Sequence, residues 1–536
     1  MDAIDSAVER GLHITDDEKL KSQSWGEFES ACSERRLFIY GIGVITKYFW
    51  EKCKPEVIHL EGIIDSSPKK QGRSLSEYLG DAYTKNSDYI VLSPDVLKEY
   101  PADDIVVLIA SSKYYEDISH DLKELGISHY YSLLNMEYNE RKILNTGSNN
   151  IYENEHEQIA QCVKSCIENY VVNSGKIVFC GFGTYSDHGK YITEQLIKRA
   201  ENLDIVWVVT DLSAGVPKGV RLINSVDTEK YIYEMETAKV WIVSTMVPEY
   251  IIKREGQIYI HTKHWASITL KKFFLDASSV SKIEGNRKWW LKNAEMMDYI
   301  IVGSEFDAKS CRRGLSSTAE MLHFGSPRSD ALYAAVDYRK KICDGYHIEM
   351  DKGLMLYAPT YRFRKNGARE IHVMGEIDLD FQRLRKALKA YSGKEWYILL
   401  RLHPGVAIES KKVGRQDGVI DVSDYEDSQE LVAASDALIS DFSSIMFEPA
   451  FVGKPVFLYA PDKESYMKED YELLLDYDSL PFPIAQTNEE LEKEIVEFDE
   501  GAYTKRVEEF LRSYGVCEDG RASARAAEFI TNNLLA

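Results

Sequence analysis

The sequence predicts an α/β protein of three successive Rossmann-like blocks, the second and third forming twin domains that face a cleft. Three observations predict it. A chain of 536 residues is too long for one core, and at about 150 residues per domain it divides into roughly three. Apolar runs of strand length alternate with helical segments, the pattern of parallel sheets with crossover helices. Polar residues recur just past the strand ends, where open α/β sheets bind their ligands.

With 44% hydrophobic, 11% aromatic and 28% charged residues, the composition is that of a globular protein. A net charge of −22 argues against nucleic-acid partners and a generally basic surface, but leaves room for a local basic patch. The opening MDAIDSAVERGLHITDDEKL is acidic and lacks an apolar core, so no signal peptide is expected. No apolar run reaches the roughly 18 residues of a membrane span. The eight cysteines (32, 53, 162, 166, 180, 311, 343, 517) include no C-x-x-C pair. That pattern predicts reduced thiols and a cytoplasmic protein without disulfides or a zinc site.

In the first block, expected over residues 1–140, RLFIYGIG, HLEGIIDSS, DYIVLS and DIVVLIASS read as strands with helices between them. Gly41-x-Gly43 and Asp65 imitate a dinucleotide fingerprint, but Ile45-Thr46 stands where its third glycine belongs. NAD binding and an unliganded or regulatory module are both open readings. Residues 141–175 form a polar, then helical connector in which Cys162 and Cys166 fall on a core stripe.

The second block, 176–345, opens with the strand KIVFC, ends it on Gly181-x-Gly183, and starts a helix near Asp187. DIVWVVTD, KVWIVST, QIYIHT and YIIVGS are its further strands. In the third, 346–536, the strands are GLMLYAPTYR, EWYILLRLHPG, GVIDVS, DALISDFSS and PVFLYAP. Asp427 and Glu430 form a capping-box pattern before DALIS.

Three strands of the third block deliver polar groups to one edge: Thr360 and Arg362, Arg401 with His403-Pro404, and Asp441 with Ser443 and Ser444. Ser and Asp at a strand-to-helix turn are ordinary caps. A helix N-terminus with paired hydroxyls also suits a phosphate, and a diphosphate needs fixed donors plus a bidentate cation. This edge can supply them.

These motifs, YAPTYR, RLHP, SDFSS and FEPAFVGKPVFLY, resemble the CDP-glycerol/CDP-ribitol polyol-phosphotransferases that build teichoic-acid-type polymers. YSDHGKYI, KREGQIYIHTKHW, LKKFFLDA and the run from Gly325 to Asp330 follow that family's order, over about residues 176–500. The resemblance implies a GT-B fold, a CDP-alcohol donor bound by the C-terminal domain, a polymer or lipid-linked glycan acceptor, and metal-independent transfer with release of CMP and no cofactor. It says nothing of the first block.

Carried over by position, Ser443 and Ser444 match the donor-side hydroxyls, His403 the histidine that holds the donor phosphates, and Arg328 the arginine of G-x-P-R-x-D. His264 matches the histidine placed to deprotonate the attacking hydroxyl. Thr360, Arg401, Pro404, Asp441 and Glu448 complete the expected donor side; Gly183, Tyr185 and Asp187 form the acceptor side. The sequence departs from the family in two places. The usual T-W-H-G-T-P-L-K reads here as Thr262-Lys263-His264-Trp265-Ala266-Ser267-Ile268-Thr269-Leu270-Lys271, keeping the histidine but losing Gly-Thr-Pro and gaining two residues, and Glu448 replaces the usual Asp.

Asp378-x-Asp380 reads as a solvated face rather than a metal site. Arg287, Lys288, Trp289 and Trp290 form a basic-aromatic cluster. It suits either peripheral contact with the inner face of an anionic membrane or packing of both indoles between helices. Two other functions fit parts of the pattern: a CMP-sugar-dependent sialyl- or Kdo-like transferase, which shares the H-P and paired-Ser motifs, and a non-catalytic assembly or nucleotide-sensing subunit.

Overall fold

The computed structural model describes the chain apart from residues 1–17, 22, 44, 47, 50–59, 80–88, 112–113, 146–149, 201, 278–283, 361, 367–368, 374–377, 403–416, 470–471 and 536. Three parallel sheets organise it. The first holds β1 (Arg36–Tyr40), β2 (Leu60–Ile64), β3 (Val91–Leu92), β4 (Ile105–Ile109) and β5 (Tyr130–Ser132) in the order β3-β2-β1-β4-β5. The second is built from β6 (Asn173–Cys180), β7 (Asp204–Val209), β8 (Val220–Asn224), β9 (Ala238–Val243), β10 (Ile258–His261), β11 (Tyr299–Val302) and β12 (Glu320–His323), ordered β12-β11-β10-β9-β6-β7-β8.

After β13 (Gly353–Ala358) comes an antiparallel hairpin of β14 (Arg362–Asn366) and β15 (Arg369–Val373). The third sheet continues with β16 (Trp396–Leu400), β17 (Val419–Asp421), β18 (Ala437–Ser440), β19 (Val456–Tyr459) and β20 (Ile484–Ala485), ordered β17-β16-β13-β18-β19-β20. Strand order reverses between β1 and β4, β6 and β9, and β13 and β18. Ligand crevices in open α/β sheets lie at such points.

Each sheet is covered on both faces, and the two-residue side-chain period shows it. Leu37 and Ile39 enter one core while Phe38 and Tyr40 enter another. Val178 packs with Trp241 on one face of the second sheet, and Ile177 and Phe179 pack with Leu196 on the other. Leu354 and Leu356 oppose Met355 and Tyr357 in the third. Cys166 lies buried in the core under the helix Asn150–Asn169.

The twin domains are joined by more than chain connectivity. Tyr191, Ile268, Leu270 and Ala331 of the second share an apolar cluster with Leu356, Phe442 and Tyr466 of the third. The last helix, Ala522–Phe529, returns to the second sheet, where Ala526 and Ala527 join its core. The first domain touches both: Asn224 donates to the Tyr78 carbonyl (2.5 Å), Arg73 meets Ser213, and Lys69 meets the Asp424 carbonyl.

Two local expectations change. The segment after β18 is a 3-10 turn, Ser444–Met446, and a one-turn helix, Phe447–Ala450. Pro449 lacks an N–H, and Gly453 takes a left-handed φ of +72° that turns the chain away. Asp427 does cap the helix Ser428–Ala434, accepting the Gln429 N–H (2.9 Å), but Glu430 does not close the box. Its carboxylate is drawn instead to Lys190 (2.6 Å) and Lys341 (2.5 Å).

Candidate active site

The loop after β6 is shaped by glycine. Gly183 has φ +80°, and a Cβ there would lie 2.6 Å from Thr210 Cγ2. Only glycine lets this loop approach the one after β7, whose Thr210 donates to the Gly183 carbonyl through N–H (2.8 Å) and hydroxyl (3.1 Å). Tyr185 is buried edge-on against Trp207, 4.8 Å between centroids. Asp187 then opens the helix Asp187–Arg199 with φ +60°, a costly conformation for a residue with a Cβ.

That carboxylate has a use. Arg328, in the turn Pro327–Leu332, places Nη1 3.1 Å from Asp187 Oδ1 and donates to the His264 carbonyl at 2.8 Å. Its Nη2 lies 3.4 Å from Glu448 Oε1 and 3.5 Å from Ser428 Oγ, both in the third domain. One buried guanidinium thus ties the acceptor loop, the histidine loop and the donor domain. Its own Nε–H is buried and meets no acceptor among the described residues. The Arg328 N–H approaches His188 Nδ1 (3.4 Å) while His188 Nε2 faces the Trp265 carbonyl (3.0 Å). The His188 ring is therefore neutral with its proton on Nε2, as burial requires: its pKa is pushed down to about 3.

His264 is the exposed residue of a loop otherwise buried from His261 to Leu270. Its ring packs edge-on against Phe182 (5.2 Å) and Trp265 (5.1 Å). The surrounding protein and the cations Arg328, Lys263 and Lys271 lower its pKa to about 4, with Asp187 pulling the other way. It is neutral near pH 7 and can accept a proton. Against the upward push of burial, the Arg328 guanidinium and the His188 backbone N–H, which donates to Oδ1 (2.8 Å), leave Asp187 below the ordinary carboxylate range, so it is ionised.

On the donor side, Asp441 ties β13 to β18 at the crossover point, its Oδ1 accepting the N–H of Thr360 (2.8 Å) and of Phe442 (2.6 Å). Ser443 caps the turn, accepting the Ile445 N–H at 3.5 Å. Ser444 points across the cleft instead: its Oγ accepts the Leu270 N–H (3.1 Å) and lies 3.3 Å from Thr269 Oγ1. Arg401 is turned into its own domain, donating to the carbonyls of Tyr425 (2.5 Å) and Val422 (3.4 Å), and burial lowers its pKa to about 10. Glu448 is buried, which raises its carboxyl to about 7 against the pull of Arg328. His403 and Pro404 lie outside the described residues.

Sequence reasoning passed over the clamp between the domains. Lys190 reaches Asp427 Oδ2 (2.7 Å) and Glu430 Oε1 (2.6 Å), and the Tyr191 hydroxyl donates to Asp427 Oδ2 (2.8 Å). The available signal was Lys190 within YSDHGKYI, paired with an acidic cap in the other domain. Elsewhere, Asp65 accepts the Ile42 N–H (3.1 Å) and pairs with Lys70 (2.9 Å), so the first domain's glycine turn is bonded to its own acid. Asp380 caps the helix Phe381–Ser392 by accepting the Arg383 N–H, the ordinary role for its type. Trp289 donates to the Val247 carbonyl (2.6 Å) and Trp290 packs on Phe274 (5.3 Å), while Arg287 and Lys288 are exposed.

Twin parallel-sheet domains meeting at their strand ends, with a histidine from one and a cation bridging both, define a transferase of the GT-B type. The chain belongs to the CDP-Glycerol:Poly(glycerophosphate) glycerophosphotransferase family, whose model matches residues 162–532. Residues 33–144 match a separate model described as C2185-like, N-terminal. The chain is 30% identical over 365 residues to a teichoic acid glycerol-phosphate transferase of Staphylococcus aureus, covering 65% of this chain and 90% of that one. It is 28% identical to a teichoic acid poly(glycerol phosphate) polymerase of Staphylococcus epidermidis, covering 67% of this chain but only 50% of that relative's length. The solved wall teichoic acid polymerase TagF superposes with a TM-score of 0.63 at 26% identity, over 74% of this chain and 97% of that one. Among the described residues no helix is long and apolar enough to cross a membrane.

Proposed function

We propose that the protein transfers a polyol phosphate, glycerol or ribitol phosphate, from a CDP-alcohol to a hydroxyl of a cell-surface glycopolymer or its lipid-linked precursor, releasing CMP. Family membership and relatives named for both glycerol- and ribitol-phosphate transfer support the reaction class. The observation in the molecule that carries it is the junction of His264, Asp187, Arg328 and Glu448 at the cleft between the two sheets.

The acceptor oxygen attacks the polyol-bearing phosphorus of the donor, and its proton passes to the neutral ring of His264. The bond from that phosphorus to the bridging oxygen breaks, and its electron pair leaves on the phosphate of CMP. Charge grows on that leaving group, where Arg328 with its spare Nε–H, the Ser443 hydroxyl and His403 are assigned as stabilisers. Asp187 holds Arg328 in place.

CMP release from CDP-glycerol, CDP-ribitol, CMP-sialic acid and CMP-Kdo, with wild type beside His403→Ala, tests the reading. Release from a CDP-polyol that the variant loses is expected. Release from a CMP-sugar alone moves the protein to the glycosyltransferases.

The same reading includes peripheral attachment through Arg287 and Lys288, which stand exposed beside Trp289 and Trp290 in an acidic chain. Wild type is expected to float with phosphatidylglycerol vesicles and Arg287→Glu/Lys288→Glu to stay behind. Equal flotation would assign the cluster to internal packing.

A further inference from the structure

Residues 262–270, the segment that carries His264, contain neither glycine nor proline to set a turn. We propose that the buried Lys263–Asp307 ion pair does this work, and that Lys263 and Asp307 are positioning residues for His264. The inference rests on His264 being the base. Lys263 is fully buried, and its backbone is left-handed, φ +56°. Its ammonium has three N–H groups and three acceptors: Asp307 Oδ2 at 3.0 Å, the Trp265 carbonyl at 3.1 Å and the Ala266 carbonyl at 3.2 Å.

Asp307 completes the nest. Its Oδ2 accepts the Gly303 N–H (3.0 Å) and its Oδ1 accepts the Trp265 indole N–H (3.0 Å). Lys263 therefore binds the two carbonyls that follow His264, while Arg328 binds that of His264 itself (2.8 Å). Three consecutive carbonyls, of His264, Trp265 and Ala266, are thus pinned to buried cations, which fixes the backbone at and after His264, and His264 alone in this stretch is exposed.

Stability does not explain such a pair, because apolar residues of similar volume usually replace a buried ion pair at no loss. Geometry and charge do. Among the described residues, the charged groups around the His264 ring are Lys263, Arg328 and Lys271, which lower its pKa, and Asp187, which raises it; His261 beside it is buried with its pKa depressed. Removing the Lys263 charge must move the His264 titration upward.

The test compares full-length wild type with Lys263→Met, Asp307→Leu and the double variant, reading thermal midpoint, kcat, donor KM and the pH profile of kcat/KM. Each single variant strands a buried charge and is expected to lower the midpoint. The double variant is expected to regain it, to keep donor KM within about twofold, to lose about tenfold or more in kcat, and to shift its acid limb upward. A double variant with wild-type kcat and an unmoved acid limb overturns the inference.

Lys263→Arg covers the case in which the apolar variants do not fold. It keeps the charge but not the reach, so a lower kcat with an unmoved acid limb is expected, and wild-type kcat overturns the positioning role. His264→Ala separates the two failures: an active His264→Ala refutes the base itself, whereas an inactive one beside a wild-type double variant refutes only the positioning.

Discussion

His264→Ala is expected to lower CMP release in the presence of acceptor by about 10²–10⁴-fold, the usual contribution of a positioned general base. Donor binding should survive, because among the described residues the ring neighbours of His264, Phe182 and Trp265, both belong to the second domain. Nor should the fold suffer, since the ring is exposed and the loop is held through its carbonyls. Donor affinity and thermal midpoint measured beside turnover separate a lost base from a lost structure. Turnover within about threefold of wild type would reject the role.

The pH profile sharpens this. A base must be neutral, so activity is present above its pKa and lost as pH falls through it. In the free enzyme His264 sits at about 4, and the acid limb of kcat/KM should lie there rather than near the ordinary histidine value. The limb of kcat reports the complex, in which the anionic donor offsets Arg328, Lys263 and Lys271; it should lie higher. His264→Ala should abolish both.

Much of this was legible in the residues, and what escaped has physical reasons. The central strands were readable because burial on both faces makes them continuous apolar runs: Leu37 to Tyr40, Ile177 to Phe179, Leu354 to Tyr357. The edge strands Val220–Asn224 and Glu320–His323 were not, because their mixed side chains meet solvent on part of their length. The hairpin Arg362–Asn366 with Arg369–Val373 carried an Asn-Gly signal at 366–367 that a search for parallel strands passes over. At the site, motif residues arrived together because strand ends converge. The ionic scaffold did not show: Lys263 with Asp307, and Lys190 with Asp427, are partners only once sheets or domains have met. Ser444 illustrates the limit, since no local pattern could reveal that its hydroxyl spans the cleft to Leu270.

Arg328→Met is the second large effect expected, and it combines chemistry with structure. In catalysis it removes a cation and a spare donor from the leaving phosphate, a loss of about 10²–10³-fold by analogy with other charge-stabilising donors. In the fold it strands two carboxylates, Asp187 and Glu448, which lie in different domains and share this single guanidinium at 3.1 and 3.4 Å. Breaking a buried pair by removing one partner costs about 3–5 kcal/mol. Asp187 should then lose its depressed pKa, and Glu448, already raised to about 7, should rise further and be protonated at neutral pH. Stability follows with a definite sign. A carboxyl whose folded pKa lies above its unfolded value is destabilising when ionised, so the variant should gain stability as pH falls from about 8 towards 5. Arg328→Met/Glu448→Gln should remove most of that gain and restore part of the midpoint without restoring turnover. Arg328→Lys should keep the ion pairs in part but not the fork that reaches Asp187, the His264 carbonyl and Glu448 together, and so remain well below wild type in kcat. Full activity in the lysine variant would show that charge alone suffices at this junction, and the bidentate role assigned to Arg328 would fall.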